Sequence, residues 1–134
     1  MTAETLGRMA DRYRLDAVEA IIATEQEALG SDYGANGYTT RAQADELVDV
    51  LSLGPDRVLL DLGSGCGWPG IYLAVRSGCH LVSVDPVDAG VHRTETRSAA
   101  EGLAARSLAL LADGEHLPLG SGTVDALVHA DVLC

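Results

Sequence analysis

The spacing of apolar residues changes character twice along this chain. Between Tyr13 and Leu29, the residues Leu15, Val18, Ile21, Ile22 and Leu29 recur at helical intervals, and Gly30 supplies the stop. The run Ser31 to Gly37 is rich in turn formers and is expected as a mobile loop. Thr40 and Gln43 then match a capping box, after which Ala44, Leu47, Val48 and Leu51 continue one apolar face as far as Gly54-Pro55. From Arg57 to Leu62 the pattern becomes a short continuous apolar run, the mark of a buried strand. A glycine-rich turn follows, Gly63-Ser64-Gly65-Cys66-Gly67-Trp68-Pro69-Gly70, and the next helix is predicted from Pro69 to about Ser77, with Gly78 as its cap. Proline suits the first helical position, because that amide has no partner within the helix.

Beyond Gly78 the chain alternates: strand His80 to Asp85, helix Asp88 to Glu101, strand Ser107 to Ala112, loop Asp113 to Thr123, strand Val124 to Ala130. Alternation of this kind predicts parallel strands joined by right-handed crossovers. The last strand, Val124-Asp125-Ala126-Leu127-Val128-His129, is too apolar for an open sheet edge, where charge or proline normally stands. Doubly wound sheets continue past such a strand. The expectation is therefore a fragment, or a chain that borrows its missing edge from a partner.

Composition narrows the partners. The 134 residues suffice for one domain with a real core, and 47% apolar against 22% charged residues argues against disorder. Twenty acidic residues face nine arginines and no lysine, a net charge of -11. That balance argues against duplex nucleic acid, which needs a basic footprint, and against an anionic membrane surface. The charged amphipathic opening, Met1 to Gly30, reads as neither signal peptide nor membrane span. Cys66, Cys79 and Cys134 are odd in number and lack ligand spacing, which suits reduced thiols in a cytoplasmic protein. His80, His92, His116 and His129 are too scattered for a metal, and none is expected.

The candidate chemistry sits in the glycine turn. Its glycines allow positive φ and bare backbone at a ligand, and the helix start behind it offers free amides and partial positive charge. Two registers fit: Gly63-x-Gly65-x-Gly67 with Asp61 ahead of it, and Gly65-x-Gly67-x-x-Gly70 with Asp85 lying 20 residues beyond Gly65. The second is the dinucleotide spacing. Asp61, however, stands where a pyrophosphate would press and would repel it, whereas a cationic amine would welcome it.

With these motifs in view, the chain resembles the class I S-adenosylmethionine-dependent methyltransferases, in particular the small-molecule branch related to quinone-biosynthesis enzymes. The resemblance rests on Val58 to Leu73, the strand ending in Asp85 and the Asp113-Gly114 loop, and spans roughly Thr39 to Asp131. It implies a Rossmann-like α/β sandwich with parallel strands in the order 3-2-1-4, the family's C-terminal strands missing. It divides the chain into N-terminal helices and a lid segment, 1–56, and a cofactor-binding half, 57–134, within one compact domain. It also implies S-adenosylmethionine as cofactor. The backbone of Gly63, Ser64 and Gly65, with Gly67 in the same turn, would face the methionine portion, and Asp61 would help hold its amino group, often through water. Asp85 would accept both ribose hydroxyls, and Pro86 or Val87 would flank the adenine. Asp113 would accept from the adenine amine beside the Gly114 amide. His129 and Ala130 would lend backbone near the methionine amine, and Tyr38 to Thr40, with Thr39 at its centre, would close over the cofactor.

Plainer readings stand beside these. Asp85 caps a helix equally well, Asp113 is an ordinary loop carboxylate, Cys66 fills the loop, and Tyr13, Tyr33 and Tyr72 pack in core or loop. The expected function is methyl transfer to a small-molecule acceptor, with no general base nominated. The rivals are an NAD(P)-dependent oxidoreductase using the second glycine register, and a non-catalytic module that binds cofactor or dimerises, a homodimer or strand-swapped assembly being the form of association expected.

Overall fold

Four strands, β1 (Val58–Leu62), β2 (His80–Asp85), β3 (Ser107–Leu111) and β4 (Ala126–Val128), pair in parallel in the order β3-β2-β1-β4. The computed structural model describes residues 1–30, 32 and 37–132. The turn-rich stretch at 31–37 therefore falls outside the described residues apart from Asp32 and Gly37, as do Tyr33 and Cys134. The Rossmann-like order expected from the sequence is the order observed. β1 lies at the centre, with Leu59 opposite Leu81 of β2 and Ala126 of β4.

Five α-helices complete the described chain: α1 (Ala3–Tyr13), α2 (Glu19–Leu29), α3 (Arg41–Val50), α4 (Gly70–Ser77) and α5 (Asp88–Ala100). The Thr40–Gln43 capping box forms with both of its reciprocal bonds, and Gly78 ends α4 in the left-handed conformation. The main core joins Leu59, Leu81 and Val128 of the sheet to Ile71, Leu73 and Ala74 of α4 and Ala44 of α3. Each large side chain buried there stabilises the fold by roughly 1.5–3 kcal/mol, an upper figure because unfolded chains already bury some surface.

Three expectations shift. The helix predicted from Tyr13 to Leu29 is two helices: Tyr13 ends α1, a 3-10 turn covers Arg14–Ala17, and Val18 takes extended backbone before α2. α1 starts at a Thr2 cap and turns Leu6, Met9, Ala10 and Tyr13 toward Cys66, Val87 and Ala89. Pro69 precedes α4 instead of opening it, so the first helical amide is that of Gly70. Strand β4 has three residues where seven were expected. Past Val128 the Leu62 carbonyl meets the His129 ring, Nδ1 at 3.0 Å, so a side chain replaces the next ladder bond.

Asp61 explains why the turn after β1 keeps its shape. It is 1% exposed, and its Oδ2 accepts the Gly70 amide at 3.0 Å. A Cβ at position 70 would collide with that same carboxylate, so only glycine lets the strand end and the helix start approach. Burial pushes the Asp61 carboxyl upward most strongly, the Gly70 amide pulls it down, and the Asp85 charge raises it further, to about 7. Between the ordinary value of 3.8 and about 7 the folded state holds more protons than the unfolded one. Stability from this group is full below pH 4 and is lost as the pH rises to 7, at up to about 1.4 kcal/mol per pH unit. Asp61→Asn keeps an acceptor for Gly70 and has no proton to lose. Denaturant unfolding at several pH values should give the variant the shallower decline; equal slopes would contradict the assignment.

Candidate functional site

The glycine turn is held from below by backbone and from the side by a carboxylate. The amides of Gly63 and Ser64 both donate to the Val84 carbonyl, at 2.7 and 3.1 Å, so the turn grips the end of β2. Gly65 has φ +53, and its amide donates to Asp85 Oδ2 at 2.8 Å. Asp85 Oδ1 accepts the Val87 amide at 2.9 Å. The Gly65 carbonyl accepts from Thr94 Oγ1 of α5, and the Cys66 carbonyl from Arg97. Gly67, at φ +101, is fixed by packing as well, since a Cβ there would run into Ile71.

Two adjoining cavities open above this turn, of about 380 and 220 Å³, and both are walled by Gly63, Pro86 and Val132. The larger also meets Ser64, Gly65, Asp85 and Ala130, and the smaller Asp113, Gly114 and His129. The structure thus brings together most of the residues singled out from the sequence. Asp85 is 2% exposed and lies on the wall of the larger cavity. Burial raises its carboxyl above the ordinary range, against the downward pull of the Gly65 and Val87 amides. Each of its oxygens carries one amide and retains a lone pair for a further donor.

Other candidates stand apart. Asp61 lies behind the turn on the Gly70 amide and lines neither cavity. Of the helix-start amides expected to be free for a ligand, that of Gly70 is therefore already taken. Gly67 and the buried Val87 support the turn without lining either cavity. Asp113 Oδ1 accepts the amides of Glu115 and His116, and so shapes its own loop. Desolvation pulls that carboxyl upward, but the His116 ring and the two amides together outweigh it and hold it below the ordinary value. His129 lines the smaller cavity, with its ring held on the Leu62 carbonyl.

The segment at Tyr38 and Thr39 is fastened in a way the sequence did not reveal. Asp131 Oδ2 accepts the Tyr38 amide at 3.0 Å, the Thr39 amide at 3.1 Å and Thr39 Oγ1 at 2.9 Å. On its other side, Trp68 Nε1 donates to the Thr39 carbonyl at 2.9 Å. Asp131 sits at φ +57, a conformation that L residues other than Asn and Asp seldom take, and its position lines the larger cavity. The Tyr38 side chain is 81% exposed and lines neither cavity. Sequence reasoning also missed the roof. Thr5, Met9, Arg12 and Tyr13 of α1 line the larger cavity, and their spacing of four, three and one places them on one helical face.

The family model described as "Methyltransferase domain" matches residues 60–134, more than half of the chain. The chain belongs to this methyltransferase family. Among solved structures it is similar to geranyl diphosphate C-methyltransferase from Streptomyces coelicolor A3(2), solved with Mg2+, geranyl diphosphate and S-adenosyl-L-homocysteine. The two are 26% identical, with a TM-score of 0.61 over 66% of this chain and 33% of that one. A geranyl diphosphate methyltransferase solved with S-adenosylmethionine is 28% identical, with a TM-score of 0.61 over 66% and 36% of the two chains. A methyltransferase from Geobacter sulfurreducens, solved with S-adenosyl-L-homocysteine, shares the fold at 22% identity, with a TM-score of 0.60 over 67% and 36%. The methyltransferase domain described here spans about a third of the length of these proteins. Nothing in these matches assigns it to the quinone-biosynthesis branch.

The Asp131 fastening makes a local prediction. Asp131→Ala removes three bonds to one carboxylate, and the segment at 37–40 should then open roughly 3- to 10-fold more often. Limited proteolysis near Tyr38 should accelerate, and the emission of Trp68, the single tryptophan, should shift. Unchanged cleavage and emission would show that the segment is held by other contacts.

Proposed function

We propose that this domain binds S-adenosylmethionine along the glycine turn and serves methyl transfer to a small-molecule acceptor. The observation that carries the reading is a buried carboxylate, Asp85, beside the bare backbone of Gly63, Ser64 and Gly65 on one cavity wall, in a chain of the methyltransferase family. The donor set suits the group. Asp85 supplies acceptors for vicinal ribose hydroxyls, Pro86 supplies an apolar flank with Val87 packed behind the turn, and Asp113 with Gly114 supplies polar backbone and carboxylate for the adenine edge in the smaller cavity. Asp61 acts through the turn that it pins, while Gly67 and His129 give that turn and the end of β4 their shape. Tyr38 and Thr39 form the lid segment within the N-terminal portion, 1–56, over the cofactor half, 57–134.

When bound, the cofactor supplies a sulfonium methyl that is already a strong electrophile. The residues of this chain then have to align the acceptor and exclude water, and the roof of α1 over the larger cavity is suited to both. A small acceptor is favoured by the net charge of -11, which opposes nucleic acid, and by the geranyl diphosphate bound in one similar protein. No described helix is long and apolar enough to cross a membrane, and the buried thiols of Cys66 and Cys79 suit the cytoplasm. The dinucleotide rival needs free amides at the helix start, and Asp61 already takes that of Gly70.

Self-association is a further part of the reading. β4 pairs with β1 alone among the described strands. Leu108 and Leu127, at the two ends of one cross-sheet row with Val82 and Leu60, are 53% and 48% exposed. A second copy docking on this edge and row would gain ladder bonds and apolar burial, and screening limits the charge repulsion to about 8 Å.

Two measurements test these points. Titration with S-adenosylhomocysteine should show Asp85→Ala binding about 10- to 100-fold more weakly than the parent, the loss of charge-assisted bonds to two hydroxyls; equal affinity would move the ribose elsewhere. Sedimentation at tens of micromolar in physiological salt should find a dimer, and a strictly monomeric species would contradict the exposed-edge argument.

A further inference from the structure

Tyr13 is the residue that α1 buries, and it lies 6% exposed on the wall of the larger cavity, which Gly65 and Asp85 also line. Its surroundings are built to receive it. A Cβ on Gly65 would stand 3.4 Å from the Tyr13 hydroxyl oxygen, and the same Gly65 donates its amide to Asp85. A Cβ on Gly90, at the start of α5, would lie 2.6 Å from the Gly65 carbonyl oxygen and within 3.0 and 3.1 Å of two Tyr13 ring carbons. Glycine at position 90 therefore lets α5, the glycine turn and the tyrosine meet at one point. Packing accounts for the ring. It does not account for a hydroxyl at a cavity wall beside a carboxylate.

We propose that Tyr13 is a cofactor-contacting residue, whose hydroxyl works with Asp85 as a donor–acceptor pair on the ribose of the bound nucleoside. This rests on the S-adenosylmethionine reading above and deepens it. A carboxylate accepts only, so Asp85 can engage the two hydroxyl hydrogens of a vicinal diol but none of its oxygen lone pairs. Tyr13 supplies the complementary donor. Burial, with the Asp85 charge adding to it, pushes the phenol well above its ordinary value, so the proton stays on oxygen throughout the working pH range. The partnership also makes α1 more than a cover. The helix delivers a polar group to the nucleoside, and binding in turn holds the helix down.

Calorimetry of Tyr13→Phe with two ligands tests this. S-adenosylhomocysteine and 5'-methylthioadenosine share the nucleoside, and only the first carries the amino-acid end. The substitution keeps the ring and its packing, so the melting temperature without ligand should stay near the parent's. Both ligands should weaken by the same factor, roughly 3- to 10-fold, the range of one neutral hydrogen bond. Unchanged affinity for both would reduce Tyr13 to a packing residue and overturn the proposal. A loss confined to S-adenosylhomocysteine would place the hydroxyl at the amino-acid end and overturn its assignment to the ribose. If the unsubstituted protein binds neither ligand, the cofactor reading itself fails, an outcome distinct from any result of Tyr13→Phe.

Discussion

Two buried carboxylates, each spent on backbone amides, hold the glycine turn of this domain in place. Asp61 takes the Gly70 amide from the strand side, and Asp85 takes those of Gly65 and Val87 from the neighbouring strand. Both lie at the C-terminal ends of central parallel strands, where open α/β sheets present their ligands. Burying two like charges this close is costly, and burial raises both carboxyls. The return is a turn whose amides already have partners, so its glycines keep a fixed shape rather than collapsing onto one another. Asp85 alone of the two also lines the cavity.

The roof is held by much less than the floor. α1 docks through a small cluster, Tyr13 with Cys66 and Val87, supported by Leu6, Met9, Ala10 and Ala89, while α2 buries no residue at all. With only a few apolar contacts, α1 can open at a small cost in stability. The segment at Tyr38 and Thr39 shows the same economy, fastened through one carboxylate of Asp131 and one indole of Trp68. A rigid floor and a lightly held roof suit a site that admits and releases ligand while keeping its alignment.

Much of this was legible in the sequence because the signals were local. The Thr40–Gln43 box, the Gly78 cap and the bounds of β2 follow from residues within a few positions of each other. Asp85 could be placed near the glycine turn because parallel pairing of β1 with β2 brings their ends together whatever else the chain does. What stayed hidden depended on distant partners. Nothing near Tyr13 signals that it will meet Gly90, nor near Asp131 that it will collect two amides from a segment more than ninety residues earlier. The break between α1 and α2 carries no local signal, because Arg14–Ala17 has neither glycine nor proline. Asp61 stands at the strand end just ahead of the glycine turn, a position that suggests a ligand-facing carboxylate but does not reveal its neighbour. Its neighbour is the Gly70 amide.

The central claim is that this turn is a bed for an S-adenosyl nucleoside rather than for a dinucleotide. Isothermal titration of the protein with S-adenosylhomocysteine and, separately, with NADH decides between them. The account predicts saturable binding of S-adenosylhomocysteine and none of NADH at the same concentrations; saturable binding of NADH with no response to S-adenosylhomocysteine would contradict it.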